Sequence, residues 1–273
     1  MIPLRDNIPS RSTPIMNYLM IALCTGAFLL QVMQEKAGVS LVDRYGMIPA
    51  RVTHPDEVIV VPEKVLVQTP FGVQVQVAQR QLPPAGVAPW LTVLTCIFLH
   101  GSLMHYLGNM WFLYIFGDNV EDRLGHFGYV LFYLVSGVAA SLVHLATNVD
   151  SPVPTIGASG AIAGVMGAYF CMYPKATVLS IIPIFIIMEM VVLPAPVFLG
   201  IWFAMQIWNG VSTQSGAAGV AWWAHIGGFV AGMVVAKVLD LTHHLRPPVL
   251  ARRPGTEHIG MHRLGPGEHL FRD

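Results

Sequence analysis

The sequence predicts an all-α polytopic membrane protein with six transmembrane helices and a small β-hairpin outside the membrane. The chain has 273 residues, of which 54% are hydrophobic and only 11% are charged. A soluble globular domain carries about a quarter charged residues, so much of this protein's surface faces lipid. Helices of about 20 apolar residues cross a bilayer. The stretches without Asp, Glu, Lys or Arg are 12–34, 81–117, 124–149, 151–174 and 190–236.

Breaks within these stretches divide them into six predicted helices. Polar residues at 100–102 and 209–216 each interrupt one stretch, and the prolines of 151–157 exclude a lipid-exposed helix there. The predicted helices are helix 1 (14–33), helix 2 (103–117), helix 3 (126–147), helix 4 (159–174), helix 5 (194–208) and helix 6 (220–239). The apolar run 177–193 fits none of them, and we expect it along the membrane interface or in the first turns of helix 5.

The predicted hairpin lies in the polar segment 34–89, which is inserted after helix 1. Residues 73–77 alternate Val and Gln, and Pro70 and Gly72 mark a turn between two Val-rich runs. A period of two on each side of a turn indicates two antiparallel strands. The sequence leaves open whether this segment only decorates the surface or also contacts substrate.

Basic residues predict that both ends of the chain lie in the cytoplasm. The loops after helices 3 and 5 carry no Lys or Arg, whereas the loops after helices 2 and 4 carry Arg123 and Lys175. Cytoplasmic loops are enriched in such residues. The chain then divides into a cytoplasmic tail over 1–13, a membrane domain over 14–240 and a cytoplasmic tail over 241–273. The second tail is rich in Arg, His, Pro and Gly and is predicted to be disordered.

Composition and missing motifs argue against several functional classes. The formal net charge is +0, so no basic surface points to nucleic acid. The three cysteines lie in apolar stretches and are expected to be packing residues. The sequence has no His-Glu-x-x-His motif and no pair of intramembrane aspartates, which argues against the other intramembrane protease classes and against a bound metal. It has no internal repeat, which weakens a transporter interpretation.

Four polar side chains inside the predicted helices are candidates for function, because polar groups are costly in a membrane. His105 and Asn109 are four residues apart and share one face of helix 2. Ser159 begins helix 4, and His225 lies near the outer end of helix 6. At 1.5 Å per residue, Asn109, Ser159 and His225 all lie about 7–9 Å below the outer membrane face. The spacing therefore predicts that they meet at one level.

These residues predict nucleophilic catalysis by a Ser–His dyad. A serine hydroxyl is a weak nucleophile until a base removes its proton, and His225 is the base at the right depth. The oxyanion that forms needs donors, and we expect these to be the Asn109 amide, an imidazole N–H of His105 and the backbone N–H of Ser159. The apolar stretches hold no carboxylate at this level, so a Ser–His–Asp triad is not predicted.

Glycines predict how the dyad is assembled. In helix 6 two glycines share a face with His225, and in helix 4 two glycines lie four residues apart. Such spacing lets helix backbones approach closely, so helices 4 and 6 are expected to pack face to face. We expect Ser159 Oγ within about 2.6–3.2 Å of a ring nitrogen of His225. The supporting glycines are Gly157, Gly160, Gly164, Gly228 and Gly232.

Three segments together resemble the rhomboid family of intramembrane serine proteases. They are 100–110 (HGSLMHYLGNM), 157–160 (GASG) and 224–228 (AHIGG), and 2–6 (IPLRD) and 45–51 (YGMIPAR) are similar to bacterial members. The resemblance implies a rhomboid-like fold in a lipid bilayer, in a bacterial inner membrane. It also implies a serine endopeptidase that cleaves transmembrane segments of other membrane proteins without metal or cofactor.

The sequence departs from the family pattern at two places. Ala163 stands where family members often have a tyrosine that stacks on the histidine, and 34–89 lacks the tryptophan of a Trp–Arg pair. The alternative to a protease is a non-catalytic relative that binds or moves client transmembrane helices. Such relatives typically lose the serine or the histidine, and both are present here. The sequence does not specify the physiological substrate, the scissile bond or the oligomeric state.

Overall fold

The protein, described by a computed structural model for residues 1–69, 72–184, 187–212 and 220–249, is mostly helical. Within these residues the helices are α1 (Ile15–Lys36), α2 (Leu41–Tyr45), α3 (Pro49–Thr53), α4 (Thr92–Thr95), α5 (Leu103–Leu124), α6 (His126–Thr147), α7 (Ser159–Met172), α8 (Ala195–Ser212) and α9 (Trp222–Leu241). The strands are β1 (Ile2–Asp6), β2 (Val60–Thr69), β3 (Gly72–Gln81), β4 (Thr177–Ile184) and β5 (Ile187–Pro194). Predicted helices 1 to 6 correspond to α1, α5, α6, α7, α8 and α9.

Three of the described helices are long and apolar enough to cross a membrane, namely α1, α6 and α9. A fourth span is possible if the bent pair Pro89–Phe98 and α5, at 76° to each other, counts as one. With 14 residues, α7 is about 21 Å long, shorter than a bilayer core. Six separate spans are therefore not confirmed. The predicted break at 209–216 is wrong at its start, because α8 continues to Ser212, and 213–219 lie outside the described residues.

The core of the protein is built around the short helix α7. Residues Gly160 to Tyr169 of this helix are all buried, and α7 packs against α5, α6 and α9. Large side chains from the surrounding helices close the core beneath it, among them Phe116, Tyr129 and Tyr133. A helix enclosed on all sides needs no polar face. This explains why α7 has no polar face along Gly160 to Tyr169.

Carboxylates from the last turn of α5 hold the start of α1. Buried Glu121 accepts hydrogen bonds from the backbone N–H groups of Met16 at 3.1 Å and Asn17 at 2.7 Å. Asp122 accepts from the N–H of Ser12 at 3.2 Å. The first N–H groups of a helix lack partners within it, and acids are stabilising at this positive end of the dipole. These acids lie inside the protein, which explains why α5 continues past its predicted end.

A three-stranded antiparallel sheet in the order β1-β4-β5 corrects two predictions. β1 lies in the predicted N-terminal tail and pairs with β4, with Asp6 opposite Val178. β4 pairs in turn with β5, with Ser180 opposite Val191, so the run 177–193 is a hairpin and not the first turns of helix 5. An apolar run without clear alternation does not separate a strand from a helix. The protein is therefore mostly helical, as predicted, but it contains a second sheet that the sequence analysis did not predict.

The hairpin predicted within 34–89 is formed by β2 and β3. The two strands pair along their whole length, from Val60 opposite Gln81 to Thr69 opposite Gly72. Residues 70 and 71 of the predicted turn lie outside the described part of the chain, as does the predicted disordered tail from residue 250 onward. The location of the hairpin outside the membrane stays a prediction.

Hydrogen bonds connect the rest of this inserted segment to the loop that precedes α7 and join its two ends to each other. Met47 and Thr155 form an antiparallel bridge with N–H to carbonyl distances of 3.1 and 2.7 Å. Buried Arg51 donates to the carbonyl oxygens of Asp43 at 2.6 Å and Pro83 at 2.9 Å. These contacts connect the ends of the segment without the Trp–Arg pair that is missing from the sequence.

Candidate active site

The loop before α7 places Ser159 at the first position of that helix. The N–H of Gly157 donates to the carbonyl of Cys96 at 3.0 Å, and Thr155 is held by its bridge to the inserted segment. Gly157 has φ +125°, which side chains rarely adopt. The loop thus turns sharply into the helix, and the first N–H groups of α7 face the space beside the serine.

Ser159 and His225 lie within hydrogen-bond distance. Ser159 Oγ is 2.8 Å from His225 Nε2, and the histidine is buried near the start of α9. The sequence predicted a ring nitrogen within this range of the serine oxygen. A proton can therefore pass directly between the two side chains.

Close packing of α7 against α9 sets this distance. A Cβ atom added to Gly228 would lie 2.0 Å from the carbonyl oxygen of Gly160, and one added to Gly232 would lie 2.0 Å from that of Gly164. Real Cβ atoms do not approach so closely, so the two backbones touch through glycine. Gly157 is not part of this contact and was wrongly grouped with it. It precedes α7, and its added Cβ would lie 2.8 Å from the His105 ring.

The other ring nitrogen of His225 has a partner that the sequence analysis missed. His225 Nδ1 lies 2.8 Å from Oε1 of Gln206, which is buried on α8. Trp202, one turn earlier on α8, packs on the imidazole with ring centroids 5.8 Å apart, and Trp222 meets it edge-on at 6.2 Å. Gln206, Trp202 and Trp222 thus contact the imidazole of His225 from α8 and from the first turn of α9. The sequence could have indicated Gln206, because it is the one residue with an amide side chain within predicted helix 194–208.

His105 and Asn109 lie on the opposite side of the serine, on α5. The N–H of Gly101 approaches His105 Nδ1 at 3.4 Å, which makes Nδ1 an acceptor and leaves the proton of the neutral ring on Nε2. That nitrogen faces the space in front of Gly157. The amide nitrogen of Asn109 is buried and has no hydrogen-bond partner among the described residues. Both side chains line the cavities at Ser159.

Two cavities meet at these side chains. The larger, of about 670 Å³, has several polar residues in its wall. The smaller, of about 270 Å³, is mostly apolar and is lined mainly by α5 and α7, with Trp202 of α8. Both include Ser159, His225, His105 and Asn109. Phe112 and Trp202 line the smaller cavity and not the larger one. Ser159 thus borders one cavity with several polar side chains and a second that is more apolar.

The described residues contain no group of three or more His, Cys, Asp or Glu side chains that could hold a metal ion. The three cysteines are unpaired. The hydrogen bonds of the site join a hydroxyl, an imidazole and an amide: Ser159, His225 and Gln206.

Comparison with known proteins assigns the chain to a family. The model of the rhomboid domain matches residues 88–240. The chloroplastic rhomboid-like protein 11 of Arabidopsis thaliana is 32% identical over 155 residues, which cover 55% of this chain and 53% of that protein. The rhomboid protease GluP of Bacillus subtilis (strain 168) is 33% identical over 154 residues, covering 56% of this chain and 26% of the relative. The mitochondrial rhomboid protein 1 of Saccharomyces cerevisiae is 27% identical over 151 residues, covering 53% and 40%.

The matched region includes α5 to α9 and all the candidate site residues. It spans only about half of the first of these relatives and less of the other two. The relatives come from chloroplasts, mitochondria and a bacterium, so the predicted bacterial inner membrane stays a prediction. The rhomboid domain covers more than half of this chain, and the chain belongs to the rhomboid family of integral membrane proteins.

Proposed function

We propose that this protein is an intramembrane serine endopeptidase that cleaves transmembrane segments of other membrane proteins. The observation that carries the proposal is the distance of 2.8 Å between Ser159 Oγ and His225 Nε2. This pair lies at the start of a short, enclosed helix, where two cavities meet. One of the matching relatives, from Bacillus subtilis, is named a protease, which supports the same reaction here.

The reaction begins with attack by Ser159 Oγ on the scissile carbonyl carbon, while His225 Nε2 takes the hydroxyl proton. The carbonyl π electrons move to its oxygen, which becomes an oxyanion. The C–N bond then breaks, and the imidazolium returns the proton to the leaving amine. Water then attacks the acyl-enzyme while His225 takes one of its protons. The bond from the acyl carbon to Ser159 Oγ breaks, the imidazolium returns the proton to Oγ, and the new carboxyl end is released. Every proton is accounted for by one histidine.

The oxyanion is stabilised by neutral donors. The donors that we assign to it are the backbone N–H of Ser159, the Nε2–H of His105 and the amide of Asn109, three residues that line both cavities. Donors aimed at developing charge in a water-poor site supply a large part of catalysis. The long Gly101 contact to His105 Nδ1 favours the ring tautomer that donates, and the unpartnered Asn109 nitrogen has no competing acceptor.

Purified protein in detergent or liposomes, incubated with a single-pass membrane substrate, tests the proposal. Wild type is expected to cleave, and Ser159→Ala is expected to remain folded without cleavage. A fluorophosphonate should label wild type and not the variant, and EDTA should leave the rate unchanged. A folded wild type that binds the substrate but neither cleaves it nor reacts with the fluorophosphonate would establish the non-catalytic alternative.

A further inference from the structure

Gln206 is a buried amide in an otherwise apolar part of α8. Its side chain is only 5% exposed, and neighbouring positions on the helix carry Met, Ile and Trp. Burying an amide is unfavourable unless its donors and acceptor are bonded. The side chain makes two such bonds, one to the backbone of its own helix and one to His225.

The bond within the helix fixes which way the amide points. Gln206 Nε2 donates to the carbonyl oxygen of Trp202 at 3.1 Å. A carbonyl oxygen only accepts, so the NH₂ group must face it, and the reversed amide would place two oxygens against each other. Gln206 Oε1 is thereby left facing His225 Nδ1 at 2.8 Å. The amide presents an acceptor to the histidine and not a donor.

An acceptor at Nδ1 determines where the imidazole carries its proton. Nδ1 must bear hydrogen to donate to Oε1, and in the neutral ring Nε2 then holds a lone pair. That lone pair faces the hydroxyl of Ser159 at 2.8 Å. The opposite tautomer would place an N–H against the serine, and it could not accept the serine's proton. Only one of the two tautomers is competent, and Gln206 selects it.

We propose that Gln206 is a positioning residue that holds His225 in the Nδ1–H tautomer, so that the site is a Ser–His–Gln array and not an isolated dyad. This inference rests on the proposed function. Gln206 does not touch substrate and takes no proton. It acts through His225, as the orienting side chain of other serine and cysteine proteases does. A neutral amide provides the acceptor without the desolvation cost of a carboxylate at this depth.

The test compares two replacements of nearly equal length. Gln206→Met keeps the volume and removes the strong acceptor, whereas Gln206→Glu keeps an acceptor oxygen. The matched control is Asn209→Leu, because the Asn209 amide makes the same bond to a carbonyl one turn earlier, at 2.8 Å to Met205, without reaching the histidine. Each protein is assayed for kcat, KM and the rate of Ser159 labelling by a fluorophosphonate.

We expect Gln206→Met to lower kcat and the labelling rate by about 10- to 100-fold, with KM within about twofold, since one buried hydrogen bond is lost. Gln206→Glu should recover at least tenfold over Gln206→Met, and its carboxylate should move the acidic limb of the pH–rate profile upward. Asn209→Leu should stay within about twofold of wild type. Gln206→Met at wild-type rates, or Met and Glu variants of equal activity, would show that Gln206 only packs.

A spectroscopic measurement decides the same point without any proteolysis. In protein labelled with ¹⁵N-histidine, the ring signals of His225, identified by their loss in His225→Ala, report which nitrogen carries the proton. Wild type should have the Nδ1–H form, and this preference should weaken in Gln206→Met. An Nε2–H form in wild type would overturn the inference, even if every variant failed to fold. Absence of cleavage and labelling in wild type would instead overturn the proposed function.

Discussion

Asn109 is the site residue whose contribution to turnover can be tested most directly. Its nitrogen is buried and unpartnered among the described residues, on the wall of both cavities. We predict that Asn109→Ala lowers kcat by about 10²–10³-fold and changes KM little, because an oxyanion donor acts on the transition state. Steady-state kinetics on a transmembrane substrate measure both constants.

Asn148 provides the matched control for this substitution. It lines the same larger cavity, but its amide already donates to the His144 carbonyl at 3.1 Å and to Thr147 Oγ1 at 2.9 Å. Asn148→Ala should therefore leave kcat within about twofold of wild type. If Asn109→Ala raised KM and left kcat unchanged, Asn109 would bind substrate and would not stabilise the oxyanion.

The buried carboxyl of Asp6, on β1, should make the free energy of unfolding depend on pH. Burial raises the pKa of the Asp6 carboxyl from 3.8 to about 7, the bond from the Tyr169 hydroxyl lowers it, and the nearby charge of Asp118 adds to the rise. The folded state then binds the proton more tightly than the unfolded state between about pH 4 and 7. Stability from this group is present at low pH and is lost as pH rises through that range.

We predict that Asp6→Asn removes this part of the pH dependence. Between pH 5 and pH 8 the Tm of wild type should fall by about 3 °C or more relative to that of the variant. Thermal unfolding in detergent micelles provides the measurement, and Asp56→Asn, at an exposed position, controls for loss of a carboxylate. Parallel slopes for wild type and Asp6→Asn would contradict a buried, protonated Asp6.

Which site residues the sequence could reveal depended on their surroundings. Ser159 and His225 stood out because each is a polar group in an apolar stretch beside a glycine pattern, at matching depth. Gln206 has no such pattern, and its partner lies 19 positions away on another helix. Gly157 could be recognised as important, but only the backbone reveals that it avoids the His105 ring and does not pack against α9.

At the scale of elements, local patterns predicted structure and long-range pairing did not follow from them. The Val and Gln alternation of β3 is local, so the hairpin with β2 was predictable. β1 and β4 pair over more than 170 positions of sequence, as between Asp6 and Val178. The five residues of β1 lie in a polar N-terminal segment, and their sequence does not indicate a partner strand so far along the chain. The long helices were predictable because a stretch without charged residues can be recognised from the local sequence alone.

The glycine seam between α7 and α9 is predicted to be indispensable for activity. A methyl group at Gly228 would lie 2.0 Å from the Gly160 carbonyl oxygen, so Gly228→Ala must push the helices apart. Misplacing catalytic groups by about 1 Å can cost about 100-fold in rate, and we expect at least that loss. Activity and Tm in detergent measure the two effects, and both should fall.

Gly200 on α8 offers the comparison, because an added Cβ there would meet no atom within 4 Å. Gly200→Ala should keep wild-type activity and raise Tm slightly, since alanine favours the helix. Wild-type activity in Gly228→Ala would mean that the α7–α9 contact does not determine the distance from Ser159 to His225.

The whole molecule brings a more polar and a more apolar cavity to one serine. The larger cavity, about 670 Å³, has room for water, which hydrolysis consumes. The smaller, about 270 Å³, is lined mostly by α5 and α7 and by Trp202 of α8. A substrate segment that reaches Ser159 from this side therefore stays in mainly apolar surroundings until it meets the polar groups of the site.

The hydrogen bonding of a transmembrane helix predicts that substrates must unwind locally before they are cleaved. A peptide bond in a transmembrane helix is hydrogen-bonded and shielded, and its carbonyl reaches Ser159 Oγ only after the local helix opens. Replacing two Gly or Pro residues near the scissile bond with Leu strengthens the helix, because Leu exceeds Gly by about 0.8–1 kcal/mol per residue, and should lower the initial rate in liposomes by about 10-fold or more. The same replacements in a short soluble peptide, which has no helix to open, should change the rate by less than about threefold. Equal rates for the two transmembrane substrates would mean that opening of the substrate helix does not limit the rate of cleavage.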